Sequence, residues 1–279
     1  AEPKRVLLIQ SWAQGTPWSS AIKHGALQGL KQSTQPIELH IENSDLIRLN
    51  THDYAALIEF LKEKYSAYPP DFLLADDDQS ADFIMQNREQ LFPDVPLIYA
   101  SPGAREGAQA KAFGKIYRIA DATDYLSNLG LIKQLMPQAD TLIFIGGAFT
   151  AVAQQAISQA AGIAAEQFAT VRNLSLEPIE ELEAQLAKLP ANSAVIVSPY
   201  FKDRQDNLLS PYAAIRRISQ ASAAPLFGNV DQMLELGVVG GKMVSGEGRG
   251  RALIDALLRL MAGQAVSQEA QQRYMFNYR

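Results

Sequence analysis

The sequence predicts an α/β protein made of two doubly wound parallel-sheet lobes. Short apolar runs rich in strand-forming residues alternate with helical patterns along nearly the whole chain. Such alternation implies parallel sheets with helices on both faces. About ten strands are also too many for one compact small sheet. The 279 residues, 47% of them apolar, can supply two ordinary cores. A single closed barrel is the competing architecture.

The elements follow in order. Residues 5–10 (RVLLIQ) form a buried strand, and 17–30 a helix opened by Pro17. Residues 37–42 (IELHIE) are a strand, and Asp53 starts a helix with Leu57, Ile58 and Leu61 on one face. Residues 72–78 (FLLADDD) are a strand ending in acid, followed by a helix to Leu91. PLIYAS (96–101) and KIYRI (115–119) are further strands. Thr123 caps a helix bearing Leu126, Leu129, Ile132 and Leu135. TLIFIGG, FATVRNL, AVIVSPY and APLFGNV are four more strands with helical stretches between them. The break between lobes falls near residues 120–123. The halves share a coarse strand–helix rhythm but no short repeat.

Composition narrows the function. A net charge of −5 and a pI of about 5.3 argue against nonspecific nucleic-acid binding and give no basic patch for a membrane surface. With no cysteine, disulfide and thiolate chemistry are both excluded. No apolar run reaches the roughly 18 residues of a membrane helix. The chain enters its first strand directly after Ala1-Glu2-Pro3-Lys4, with no signal peptide. That fits a cytosolic start and equally a mature exported chain.

The glycines between Gly237 and Gly250 suggest phosphate binding, but they fail its tests. GEGRGR is not the dinucleotide fingerprint, Leu236 stands where a phosphate loop needs glycine, and Met243 stands where it needs Ser or Thr. These glycines instead suit tight turns and close backbone crossing between domains. Catalytic constellations are thin. His24, His40 and His52 lack metal-ligand spacing, and there is no nucleophile elbow. Asp76, Asp77 and Asp78 are the sharpest cluster. At a strand's carboxyl end they could cap the following helix, meet an organic ligand's donors or cation, or hold a metal. The loop QSWAQGTPWSSA carries Trp12, Gln14 and Trp18 at another carboxyl end. Its rings read either as a lid on the core or as an aromatic wall for a small molecule. SPYFKD, with Tyr200 and Phe201, and GGAFT, with Ala148 and Phe149, are two more strand-end loops. In the second, glycine precedes a helix start suited to anions.

Four stretches carry a family resemblance: VLLIQSWAQGTPWSSAIKHG, ADDDQSADFIMQNREQLFPDVPLIYAS, PLFGNVDQMLELGVVGGKMVSGEGRGRALIDALLRLMAG and the terminal RYMFNYR. With them the chain resembles the type I periplasmic-binding-protein-like sensor domains of bacterial membrane-bound histidine kinases and diguanylate cyclases. These are relatives of the ABC transporter substrate-binding family. The resemblance implies lobes at 1–120 plus 241–262 and at 121–240 plus 263–279, joined by a hinge, with a ligand cleft between them. It implies a return to the first lobe through residues 240–245 and a tail crossing back to the second. The ligand would be touched by Trp12, Gln14, Trp18, Asp77, Asp78 and Ser101 from one side, and by Ala148, Phe149, Tyr200 and Phe201 from the other. The reading is non-catalytic, with no cofactor and no metal. It is periplasmic and tethered through a membrane helix beyond Arg279, with a possible homodimer. A free solute-binding protein of an importer is the alternative. The expected ligand is a small amino-acid-like zwitterion, its ammonium on the acids, its carboxylate on a helix N-terminus and its body against the aromatics.

Overall fold

The computed structural model describes residues 2–46, 48–49, 54–101, 115–120, 125–146, 151–266 and 272–277. In chain order its elements are β1 (Lys4–Gln10), α1 (Pro17–Leu30), β2 (Ile37–Asn43), α2 (Ala55–Tyr65), β3 (Phe72–Ala75), α3 (Asp78–Leu91), β4 (Leu97–Ser101), β5 (Ile116–Ala120), α4 (Tyr125–Leu135), β6 (Thr141–Ile145), α5 (Ala151–Ala164), β7 (Thr170–Asn173), α6 (Ile179–Leu186), β8 (Ser193–Val197), α7 (Pro211–Ala221), β9 (Leu226–Gly228), a 3-10 turn (Asp231–Leu236), β10 (Gly240–Val244), α8 (Gly246–Met261) and β11 (Gln272–Phe276). The starts expected at Asp53 and Thr123, and His52, lie outside the described residues.

The chain forms two compact units. Unit 1 comprises Ala1–Ala122 and Gly246–Gln271; unit 2 comprises Thr123–Ser245 and Gln272–Arg279. Unit 1 holds a five-stranded sheet in the order β2-β1-β3-β4-β5, parallel throughout. Val6, Leu7, Leu8 and Ile9 of β1 are all buried, as expected of a strand covered on both faces. Leu7 and Ile9 join a core with Leu61, Leu73, Phe83, Ile84 and Leu97. By the period of two, Val6 and Leu8 serve the opposite face. Helix α1 starts where the Thr16 hydroxyl accepts the Ser19 amide at 3.3 Å, with Pro17 as the first helical residue. Helix α8 packs along it closely enough that a Cβ on Gly250 would lie 2.1 Å from the Ile22 carbonyl oxygen.

Unit 2 holds a six-stranded sheet in the order β11-β10-β9-β8-β6-β7, parallel except for the antiparallel β11. Its two cores centre on Ile143, Val195, Leu182 and Ile218, and on Leu142, Phe144, Ile196 and Leu129. Strand β10 pairs with β9 only at Gly240–Phe227. Beyond that point Asn128 of α4 fills the gap. It accepts the Lys242 amide at 2.8 Å and donates to the Lys242 carbonyl at 3.4 Å.

The glycine-dense stretch differs from its expectation. Residues 240–244 are not the return to unit 1 but a strand of the unit 2 sheet, and the chain re-enters unit 1 at Gly246. A glycine-rich GGKMV resembles a turn. Here the absent side chains let Gly241 approach the Gly228 carbonyl oxygen, which would stand 2.0 Å from an added Cβ. Gly237, at φ +100°, ends the 3-10 turn. The close approaches of Gly241 and Gly250 thus fall inside single units.

Candidate functional site

Both sheets share one connectivity. In unit 1 the strands run 2-1-3-4-5, and in unit 2 the strands 7-6-8-9-10 repeat that order. In such sheets ligands bind beyond the carboxyl ends of the strands where the winding reverses. That point lies between β1 and β3 in unit 1, and between β6 and β8 in unit 2. Each position is a built polar site.

In unit 1, Gln10 at the end of β1 is fully buried. Its Nε2 donates to Asp76 Oδ2 at 3.3 Å and to the Ser19 carbonyl at 3.3 Å. Its Oε1 accepts Asn43 Nδ2 at 3.0 Å, and Asn43 also donates to the Trp12 carbonyl. Asp76, just past β3, is fully buried, with its Oδ1 3.2 Å from the Ser80 hydroxyl. Asp77 is the N-cap of α3. Its Oδ1 accepts the Ser80 amide at 2.9 Å, the Ser80 hydroxyl reaches back to the Asp77 amide, and Ser11 Oγ donates to Asp77 Oδ2. Capping, one of the three readings of the acids, is therefore realised by Asp77. Among the described residues no group of three His, Cys, Asp or Glu side chains is placed to hold a metal.

Arg249 completes this edge. It reaches in from the first turns of α8, and its Nη1 donates to the Asp76 carbonyl at 2.9 Å. Its guanidinium lies 4.8 Å from the Trp18 ring centroid, a cation–π stack. Burial pushes the Arg249 pKa down, while Asp76, Asp77 and Asp78 push it up. Burial raises the Asp76 carboxyl well above its ordinary range, and the Asp77 charge adds to that rise; Arg249, Ser80 and Gln10 oppose it.

In unit 2 the equivalent strand ends are equally tight. A Cβ on Gly146 would lie 2.1 Å from Ser198 Oγ, so any other residue would push that hydroxyl from its place. The buried Tyr125 hydroxyl donates to Ser198 Oγ at 3.2 Å, and its ring meets Phe144 edge-on at 6.2 Å. Burial raises the Tyr125 pKa, and hydrogen bonds with Ser198 and Asn229 oppose the rise.

The structure places the expected site residues unevenly. Trp12 is half-buried and Gln14 exposed in the loop after β1. Trp18 is only 7% exposed, in the first turn of α1. Asp78 opens α3 and is nearly buried. Ser101 is buried at the end of β4, its carbonyl accepting Arg118 Nη1 at 3.2 Å. Ala148 and Phe149 lie outside the described residues. Tyr200 and Phe201 follow β8, where a polar–aromatic edge is expected. Both are buried, and Tyr200 packs in a unit 2 core while its hydroxyl donates to the Glu177 carbonyl. An aromatic pair after a strand cannot by pattern alone be assigned to core or cleft. Sequence reasoning missed Gln10, Ser11, Asn43, Arg249, Tyr125, Ser198 and Asn229. Arg249 stands 173 positions from Asp76, so no local spacing could join them. Gln10 and Ser198 had a usable signal, since each is a polar residue at the end of an apolar strand.

No protein-family model matches the sequence, and no curated protein sequence matches it. Solved structures do match. An ABC domain from Streptococcus pneumonia in complex with L-Trp superposes with a TM-score of 0.72 at 16% identity, over 99% of this chain and 92% of that one. A ligand-free, open substrate-binding protein with adhesive properties from Clostridium difficile gives 0.68 at 14% identity, over 99% and 92%. An ABC transporter periplasmic solute-binding protein from Actinobacillus succinogenes with bound D-allose gives 0.65 at 13% identity, over 99% and 98%. The fold is therefore that of the type I periplasmic binding proteins, two α/β lobes with mainly parallel sheets. Among the described residues no helix is long and apolar enough to cross a membrane.

Proposed function

We propose that this chain is a non-catalytic receptor for a small organic solute, working outside the cytoplasm as the capture protein of an ABC importer. The observation that carries the reading is the repeated strand order, with an ordered polar network at each winding reversal. Solute-binding neighbours of this fold, holding L-Trp in one case and D-allose in another, support it. In this reading the loops at the carboxyl ends of the strands supply the contacts. Trp12 and Gln14 offer accessible surface after β1, while Asn43 bonds the Trp12 carbonyl and Gln10 the Ser19 carbonyl beside them.

The sensor-domain reading assigns the same binding event to a signalling output. It is supported by the resemblance of the four sequence stretches, and it differs in what the full gene product joins to this chain. Both readings stand or fall on binding. Native mass spectrometry of the purified chain should reveal a carried-over small molecule. Calorimetric titration with amino acids, sugars and dicarboxylates should then give saturable heat with one class. No carried-over molecule and no binding across the panel would remove the receptor reading.

A further inference from the structure

We infer that Arg249 is the built-in counter-ion of the unit 1 edge: its guanidinium takes the place from which a ligand's cationic group would meet Asp76, Asp77 and Asp78, so the ligand group accepted there is uncharged or anionic. The clause on ligand class rests on the receptor reading above. The counter-ion clause rests on the hydrogen bond and ring contact that place Arg249 at this edge, together with the charge of the acids around it.

Asp76 and Asp77 have partners on both carboxylate oxygens before any ligand arrives. Asp77 spends Oδ1 on the Ser80 amide and Oδ2 on Ser11. Asp76 faces Ser80 with one oxygen and Gln10 with the other. These partners are neutral, so they satisfy lone pairs without balancing charge. A cluster of carboxylates with so little water is costly without a cation. Arg249 supplies one. All three acids act electrostatically on it, its Nη1 bonds the Asp76 carbonyl at 2.9 Å, and its face lies 4.8 Å from the Trp18 ring centroid. A planar guanidinium can stack on an indole and donate sideways at once, and an ammonium cannot. One side chain thereby ties α1, the turn after β3 and α8 together. The expected pairing of a ligand ammonium with these acids gives way to this internal pair.

The test is chemical rescue. Arg249→Ala should melt below the wild type, and methylguanidinium at about 20 mM should recover part of the loss by mass action. Sodium chloride at equal strength should not, and the wild type should not respond. Rescue no better than that by sodium overturns the counter-ion. If the alanine chain does not accumulate folded, Arg249→Met and Arg249→Lys are compared by urea unfolding at pH 4 and pH 8. The titratable and charged groups in play are Asp76, Asp77, Asp78 and Arg249 itself, with Tyr99 of β4 facing Asp78 and Arg118 of β5 acting on Tyr99. Arg249→Met should lose at least about ten-fold more in its unfolding constant at pH 8 than at pH 4, while Arg249→Lys should lose equally at both. Equal losses for Arg249→Met overturn the counter-ion by a second route. For ligand class, a probe whose only charge is positive should bind the wild type no better than its uncharged analogue. Tighter binding of the cation overturns that clause. None of the stability outcomes depends on a ligand, so a failed solute panel removes the receptor reading and the ligand-class clause that rests on it, and leaves the counter-ion standing.

Discussion

Gly25 of α1 and Glu247 of α8 meet backbone to backbone: a Cβ on Gly25 would lie 2.0 Å from the Glu247 carbonyl oxygen. Gly250 makes the reciprocal approach one turn on, against the Ile22 carbonyl. Neither obstacle is the movable end of a side chain, so an added methyl must displace a helix. Gly25→Ala is expected to cost at least about 1–3 kcal/mol, the range for overpacking. Thermal melts check this. An unchanged melting temperature would show that α1 and α8 do not cross this closely.

The two tryptophans should separate. Trp18 is buried and carries Arg249 on its face. Trp18→Ala should therefore destabilise by roughly 3–5 kcal/mol, as for other buried aromatics. Trp12 is half-buried in the loop, and Trp12→Ala should change stability by less than about 1 kcal/mol while weakening the solute identified by the panel. Melts and titrations on both variants decide it. The opposite ranking would make Trp18 the ligand wall and Trp12 the plug.

Much of the fold was legible because its signals are local. RVLLIQ, AVIVS and TLIFI are unbroken apolar runs, and such runs are what parallel strands look like when buried on both faces. Helix α1 was legible because a proline opens it, and Pro17 stands as its first helical residue. Strand β10 was not, since Gly-Gly at 240–241 imitates a turn while serving a close approach to Gly228. The site was legible only where one strand end carried several polar groups, as with Asp76 to Asp78. Arg249 lay hidden in a glycine-rich run whose polar partner is 173 residues away. For Tyr200 the sequence shows an aromatic near a strand end, not the direction in which its hydroxyl finds Glu177.

Asn128 stands in for a ladder that β9 and β10 do not complete. Its side chain satisfies the Lys242 amide and reaches the Lys242 and Gly228 carbonyls. Asn128→Leu keeps the size and removes every hydrogen bond. The buried backbone groups then lose their partner, at about 1–3 kcal/mol each. Amide exchange at Lys242 should accelerate by at least about ten-fold, with β6 and β8 amides little changed. Equal acceleration in all three strands would mean that Asn128 supports the unit as a whole and not this junction.

Asp76 gives the pH prediction. Its folded carboxyl holds its proton well above the ordinary range, chiefly because it is buried and next because Asp77 is adjacent. In the unfolded chain it titrates near the usual 3.8. Between those two values the folded chain binds more protons than the unfolded one, so stability falls as pH rises through that window. Below 3.8 both states are protonated and the penalty vanishes. Asp76→Asn removes this titration. It keeps one oxygen that can accept from Gln10 or Ser80 and turns the other position into a donor, so it should cost stability at acid pH. That cost should shrink, or reverse, as pH rises from 4 toward neutral, because only the wild type then carries the growing burden of a buried charge. Urea unfolding of both chains across this range measures the difference directly. A difference that stays constant, or that grows with pH, would mean that the folded Asp76 carboxyl is not held above its ordinary range.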